Sequence, residues 1–211
     1  MGSIRRGQQE RGQIVEFLKA LTEDRVLTGR GHAGRSSRAR WLVPIAMFAV
    51  LVGTCVLYFR ALDSAPVVVA VDEARFALHA HSIVKDGTDL AGNRLPLFFH
   101  ITDPLNPASD SETWWQPALF YLVAGVFQFV PPATWSLRLP TAIMAIVNVI
   151  LISLVARKLF SSGWYAVVAA GILSLTPAHY MFARRALDYF CQLPIALAWL
   201  LCLSLYAESA S

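Results

Sequence analysis

Four stretches of this chain are long and apolar enough to cross a lipid bilayer, which takes about 20 helical residues each. They run over 41–59, 139–156, 164–183 and 189–207. Together they leave little chain for a water-soluble core. With 56% hydrophobic and only 15% charged residues, the composition is too apolar for an ordinary soluble domain of 211 residues. A fifth run, 117–130, has 14 residues, begins with Pro117 and stops against Pro131-Pro132. That length favours an interfacial or re-entrant helix, although extension to Leu137 would supply enough uncharged residues to cross. The expected fold is an all-α polytopic membrane protein with four transmembrane helices plus a juxtamembrane or re-entrant helix.

Charge orients these spans. Residues 1–40 hold nine Lys/Arg against four Asp/Glu, and loop 63–115 holds three against eight. A basic arm inside and an acidic loop outside follow the positive-inside rule. If 117–130 does not cross, Arg157-Lys158 return to the inside and Asp188 joins Asp72 and Glu73 outside; Arg184-Arg185 outside run against the rule. The first apolar run lies behind forty polar residues, so it reads as a retained signal anchor rather than a cleaved leader. The expected organisation is a basic cytoplasmic arm at 1–40, a transmembrane module at 41–207 and a short tail at 208–211. The expected location is a multi-pass position in a membrane, a bacterial inner membrane first, with the N-terminus cytoplasmic.

Within the arm, Ile14, Phe17, Leu18 and Leu21 keep the spacing of an apolar helical stripe suited to a membrane surface. Its arginines lack the interleaved aromatics or reader motif of a nucleic-acid binder, so no nucleic-acid partner is expected. Cys55, Cys191 and Cys202 sit in or beside apolar runs and suggest no disulfide framework.

Polar residues beside hydrocarbon are costly and tend to mark sites. On a helix beginning near Val71, Asp72, Arg75, Phe76 and His79 share one face, while Glu73 points around from it. That stripe offers a carboxylate for proton transfer and a cation for an anionic group, or else a solvated amphipathic face. His79 and His81 are two apart and face away from each other on a helix, which disfavours a metal pair. Trp114-Trp115 suit interface anchoring or sugar stacking. In "FARRALDYF", 182–190, Arg184 and Asp188 can pair at i, i+4 and leave Arg185 for a phosphate; a plain polar turn is the other reading.

An ordered set of short motifs ties these residues together: "DEARFA" at 72–77, "GNRLPLFF" at 92–99, "QPALFY" at 116–121, "LRLP" at 137–140, "ARKLF" at 156–160 and "TPAHYMFARRALD" at 176–188. In that order, after one N-terminal span, they resemble the GT-C membrane glycosyltransferases, especially the protein mannosyltransferase and lipid A aminoarabinose transferase branch. The resemblance implies a polyprenyl-phosphate-linked sugar donor, an outer-face site and inverting transfer to a lipid, glycan or protein acceptor. It implies Asp72 as general base, Glu73 as the neighbour that orients it or helps hold a metal, and Asp188 as the second acidic position. Arg184 or Arg185, with Arg75 nearby, would face the donor phosphate.

A divalent cation is compatible with this scheme, and no metal ligand is assigned. Where relatives carry Lys or His before a "PPL" segment, this chain has Gln116 and Ala118. Relatives continue for many further spans, so the chain is expected to be the N-terminal portion of such an enzyme. The competing expectations are an inactive truncated homologue or membrane partner subunit, and a small transporter. Pro44, Asn148, Pro177 and Pro194 supply kinks and polarity for a transporter, but no inverted repeat supports it.

Overall fold

The computed structural model describes residues 37–101 and 113–209. The surface helix expected at 14–21, and nearly all of the arm, lie outside the described residues. Helix α1 (Ser37–Phe59) leads through 60–70 to α2 (Val71–Asp86). A small antiparallel hairpin follows, in which β1 (Phe99–Ile101) pairs with β2 (Thr113–Trp115), Phe99 opposite Trp115 and His100 opposite Trp114. The chain continues through α3 (Pro117–Phe127), α4 (Thr134–Phe160), α5 (Gly163–Leu175) and α6 (Pro177–Ala183). A 3-10 turn at Asp188–Cys191 then opens α7 (Gln192–Ser209).

The all-α, membrane-spanning architecture is as expected, with the hairpin as a small addition. Among the described residues three helical stretches are long and apolar enough to cross a bilayer: Trp41–Phe59, Thr134–Phe160 and Asp188–Ser209. The fourth differs from expectation. Residues 164–183 do not form one straight helix, because α5 and α6 meet at an angle of 65°. The cause is local: Pro177 disfavours the helical region for the residue before it, and Thr176 is extended at φ −65°, ψ 121°. Pro177 then opens α6, where its missing N–H costs nothing. Helix α3 has 11 residues, about 16 Å at 1.5 Å per residue, against a hydrocarbon core of about 30 Å. By length it is a short apolar helix, below what a straight crossing needs.

Helix α4 is the axis of the fold. Half of its membrane-length window is buried inside the protein, against 11% for the windows of α1 and α7, so the latter two turn most of their surface outward. It packs against α5, α7, α3, α1 and α6. Ala142, Ala145 and Ala156 on α4, with Ala166, Ala170 and Ser174 on α5, are all buried. Small side chains let helices approach closely where lipid supplies no hydrophobic drive for association.

Beside this body, α2, the hairpin and α3 enclose an aromatic core. Phe99 and Phe120 stack with centroids 3.9 Å apart, and Phe76 lies 4.5 Å from Phe120. The start of α2 has no side-chain N-cap at Ala70; Glu73 instead reaches back to the Ala70 N–H at 2.9 Å. Its end is set by Gly87, whose φ of +70° suits a residue without a Cβ, and whose N–H bonds the Ile83 carbonyl at 3.0 Å.

Candidate active site

The expected site residues come from segments more than a hundred positions apart, and Glu73 joins them. Its side chain is fully buried. Oε1 accepts from Arg138 Nε at 2.9 Å and from the Ala186 N–H at 3.0 Å; Oε2 accepts from Arg138 Nη2 at 3.1 Å and from the Ala70 N–H at 2.9 Å. Burial alone would push this carboxyl up, but the Arg138 hydrogen bond, the two backbone N–H groups and the Arg138 charge outweigh burial and hold it below the usual carboxylate range.

By resemblance Glu73 is expected to orient Asp72 or help hold a metal. Both its oxygens are instead saturated by protein donors. Its work is to fasten the first turn of α2 to α4 and to the 184–188 segment. Among the described residues, no group of three or more His, Cys, Asp or Glu side chains gathers as a metal cluster would.

Arg138 and Arg184 have a matching task. Arg138, fully buried, donates Nη1 to the carbonyls of Leu62 at 3.2 Å and Pro66 at 3.0 Å. Arg184, also buried, donates to the carbonyls of Leu57 at 3.0 Å, Ala61 at 2.7 Å and Ala65 at 2.8 and 3.1 Å. These acceptors lie at the last turn of α1 and in the connection beyond it, past the regular helical ladder. Two guanidinium groups therefore tie the connection leading to Asp72. Arg184, expected as a donor-phosphate ligand, spends its donors on this framework.

A different set lies at the rim. Asp72 keeps 45% of its side chain exposed and contacts Arg75 at 3.3 Å, and the Arg75 guanidinium sits 6.0 Å above the Trp115 ring. Asp188 is half-buried at the start of the 3-10 turn, accepts the Tyr189 N–H at 2.9 Å, and is near enough to Asp72 for the two charges to interact. Tyr189, half-exposed, senses Asp188, Asp72 and Arg185 together. Arg185 remains half-buried, and its Nε lacks a hydrogen-bond partner among the described residues. The rim thus gathers Asp72, Arg75, Trp115, Arg185, Asp188 and Tyr189 at the end of α4 that carries Arg138. Arg157 and Lys158 occupy the other end of the same helix.

The face expected to present Asp72, Arg75 and His79 together divides. His79 is buried edge-on to Phe99 and Phe120, 5.5 and 5.4 Å away, and burial lowers its pKa, opposed by the charge of Asp89. His81 is exposed. Of the tryptophan pair, Trp115 packs on Phe76, while Trp114 is exposed against His100. Arg138 lies in the "LRLP" motif at 137–140, to which the sequence alone assigns no role. Its signal was a lone charge inside an otherwise uncharged stretch, 113–156, where an unpaired guanidinium would be costly.

Residues 114–211 match the family model described as dolichyl-phosphate-mannose-protein mannosyltransferase. The resemblance to GT-C mannosyltransferases therefore stands. The matched segment contains Arg138, Arg185 and Asp188, whereas Asp72, Glu73 and Arg75 precede it. No curated protein and no solved structure matches the chain. The matched segment is thus similar to a membrane glycosyltransferase family, and the long apolar helices point to an integral membrane protein.

Proposed function

We propose that this chain forms the sugar-transfer centre of a membrane glycosyltransferase that takes a sugar from a polyprenyl-phosphate donor at the outer face and inverts the anomeric centre. Asp72 accepts the proton of an acceptor hydroxyl, on a lipid, glycan or protein, as that oxygen attacks the anomeric carbon. The bond from that carbon to the phosphate oxygen breaks, and its electron pair stays on the phosphate. Arg185, helped by the field of Arg75, steadies the growing negative charge. Asp188 faces the same space and holds a substrate hydroxyl or the attacking group in line. Glu73, Arg138 and Arg184 position these groups without touching substrate.

One observation carries this reading: the 3.0 Å bond from the Ala186 N–H to Glu73, which draws the Asp72 and Asp188 segments to one rim although 116 positions separate them. A half-exposed carboxylate beside a cation, rather than the saturated Glu73, is the group able to take up a proton. The charge of residues 1–40 and of loop 63–115 supports an N-terminus inside and a rim outside.

The test is transfer from a panel of polyprenyl-phosphate sugars. Asp72→Asn should reduce the rate by about 10²–10⁴-fold, the span typical of a lost general base. Asp188→Asn should also reduce it, and both variants should unfold at the wild-type midpoint. Undiminished transfer by Asp72→Asn would remove the proposed base.

A further inference from the structure

At the end of the bundle opposite the carboxylates, an open cleft of about 800 Å³ lies between α1, the last turns of α4 and the start of α5. Met47 and Leu51 of α1, Leu154 and Arg157 of α4, and Ser162 and Trp164 of the following turn line it. Its floor is closed where α1 meets α5: a Cβ on Gly163 would come within 2.6 Å of Val43 Cγ1, so only glycine allows this approach. Ser153 also lines the cleft, but its hydroxyl turns back to the Ile150 carbonyl at 2.7 Å. The wall along Met47, Phe48, Leu51 and Leu154 is therefore apolar.

Trp41, Trp164 and Tyr165 are exposed around this end, and Phe160 packs on Tyr165 at 4.9 Å. Such an aromatic girdle marks the headgroup level. From Val43 to Leu51 the wall descends eight residues of helix, about 12 Å, toward the hydrocarbon. Of the two cations at the end of α4, Lys158 is paired with Glu208 at 2.7 Å and does not line the cleft. Arg157 is exposed, lines the rim and has no partner among the described residues.

An apolar slot with one uncommitted guanidinium at headgroup level has the shape and charge of a phospholipid site. We propose that this cleft binds one anionic glycerophospholipid, with an acyl chain along Met47, Leu51 and Leu154 and the phosphate against Arg157. This lipid is not the sugar donor. Arg157 lies nineteen helical residues from Arg138, about 28 Å along α4, so a phosphate held here is far from the Asp72 rim. The site is independent of the transfer reading and survives its failure.

The full 211-residue chain, purified and reconstituted with equal phosphatidylglycerol and phosphatidylcholine, is suited to native mass spectrometry. Phosphatidylglycerol should be retained over phosphatidylcholine by about fivefold, the preference one basic residue gives at an anionic surface. Arg157→Gln should abolish the preference. Lys158→Gln should keep it, although loss of either cation affects the helix dipole alike. Met47→Trp, which fills the slot, should lower retention of both lipids, and millimolar inorganic phosphate should not displace them.

Equal retention of the two lipids by the wild type would overturn the proposal. So would a preference that survives Arg157→Gln, or one lost equally with Lys158→Gln. Should Arg157→Gln fail to fold, the wild-type preference and the Met47→Trp result together still decide: no preference, or undiminished binding with the slot filled, refutes the site.

Discussion

The two ends of α4 handle charge in opposite ways. At the Arg138 end, Glu73, Arg138 and Arg184 are withdrawn from solvent and bonded to one another or to backbone carbonyls. At the Arg157 end, the cations stay at the surface, and the Lys158–Glu208 pair leaves more than a third of each side chain exposed. The difference concerns what each charge is for. Buried and saturated, a charge fixes the geometry of distant segments, because removing any partner strands the rest in a medium that solvates them poorly. At the surface, a charge contributes little to the fold and remains available to meet something else. The same contrast recurs between neighbours in sequence: Glu73 is framework and Asp72 is rim.

The largest expected effect tests that division directly. Arg138→Leu leaves the Glu73 carboxylate buried without its main partner, and breaking such a pair from one side costs about 3–5 kcal/mol. Arg157→Leu at the other end should fall within about 0.5 kcal/mol of wild type, as surface substitutions do. Unfolding of both variants in one detergent, followed by circular dichroism against denaturant, provides the measurement. Equal, small losses would mean that the buried network is not what holds α2 and the 184–188 segment to α4.

The sequence made the spans legible because hydrocarbon thickness imposes a length that any apolar run must meet, and 41–59 and 189–207 meet it directly. At 117–130, Pro117 and Pro131-Pro132 favoured a short element, while extension to Leu137 left a full crossing open. The 65° break at Thr176–Pro177 was harder, since proline inside an apolar run is compatible with a mild kink as well as a sharp bend. At the site, the motif order singled out Asp72, Glu73, Asp188 and one of Arg184 or Arg185 as a group, but not how they divide into framework and rim. That division depends on which donors meet which acceptors across 65 to 127 positions, as in Glu73 with Arg138 and Arg184 with the Leu57 carbonyl. No local pattern encodes those distances. Helical spacing placed His79 with Asp72, and the aromatic packing of Phe99 and Phe120 drew it inward instead.

A smaller effect sharpens the comparison through pH. The Glu73 carboxyl lies below its ordinary value in the folded chain, so the unfolded chain binds its proton more tightly. Its contribution to stability is therefore complete above the ordinary carboxylate pKa, declines as pH falls below it, and is exhausted once pH passes the lowered folded value. Glu73→Gln should flatten this acid limb when unfolding midpoints are compared over mildly to strongly acidic pH. An unchanged limb in the variant would assign the acid sensitivity to other carboxylates.

The smallest effect belongs to the far end. Lys158 and Glu208 join α4 to the last turn of α7 at 2.7 Å, but both side chains are over a third exposed, so solvent and salt screen their attraction. Lys158→Gln and Glu208→Gln, singly and together, should give a coupling of about 0.2–1 kcal/mol that diminishes from low to physiological salt. A coupling as large as that between Glu73 and Arg138, or one indifferent to salt, would place this pair in a dry environment. The α4–α7 contact would then be buried beyond what this chain alone provides, and the surface character of the Arg157 end would have to be abandoned. A weak, salt-sensitive coupling has the opposite consequence: the far end holds together through small-residue packing of α4 on α5, and its cations are spare.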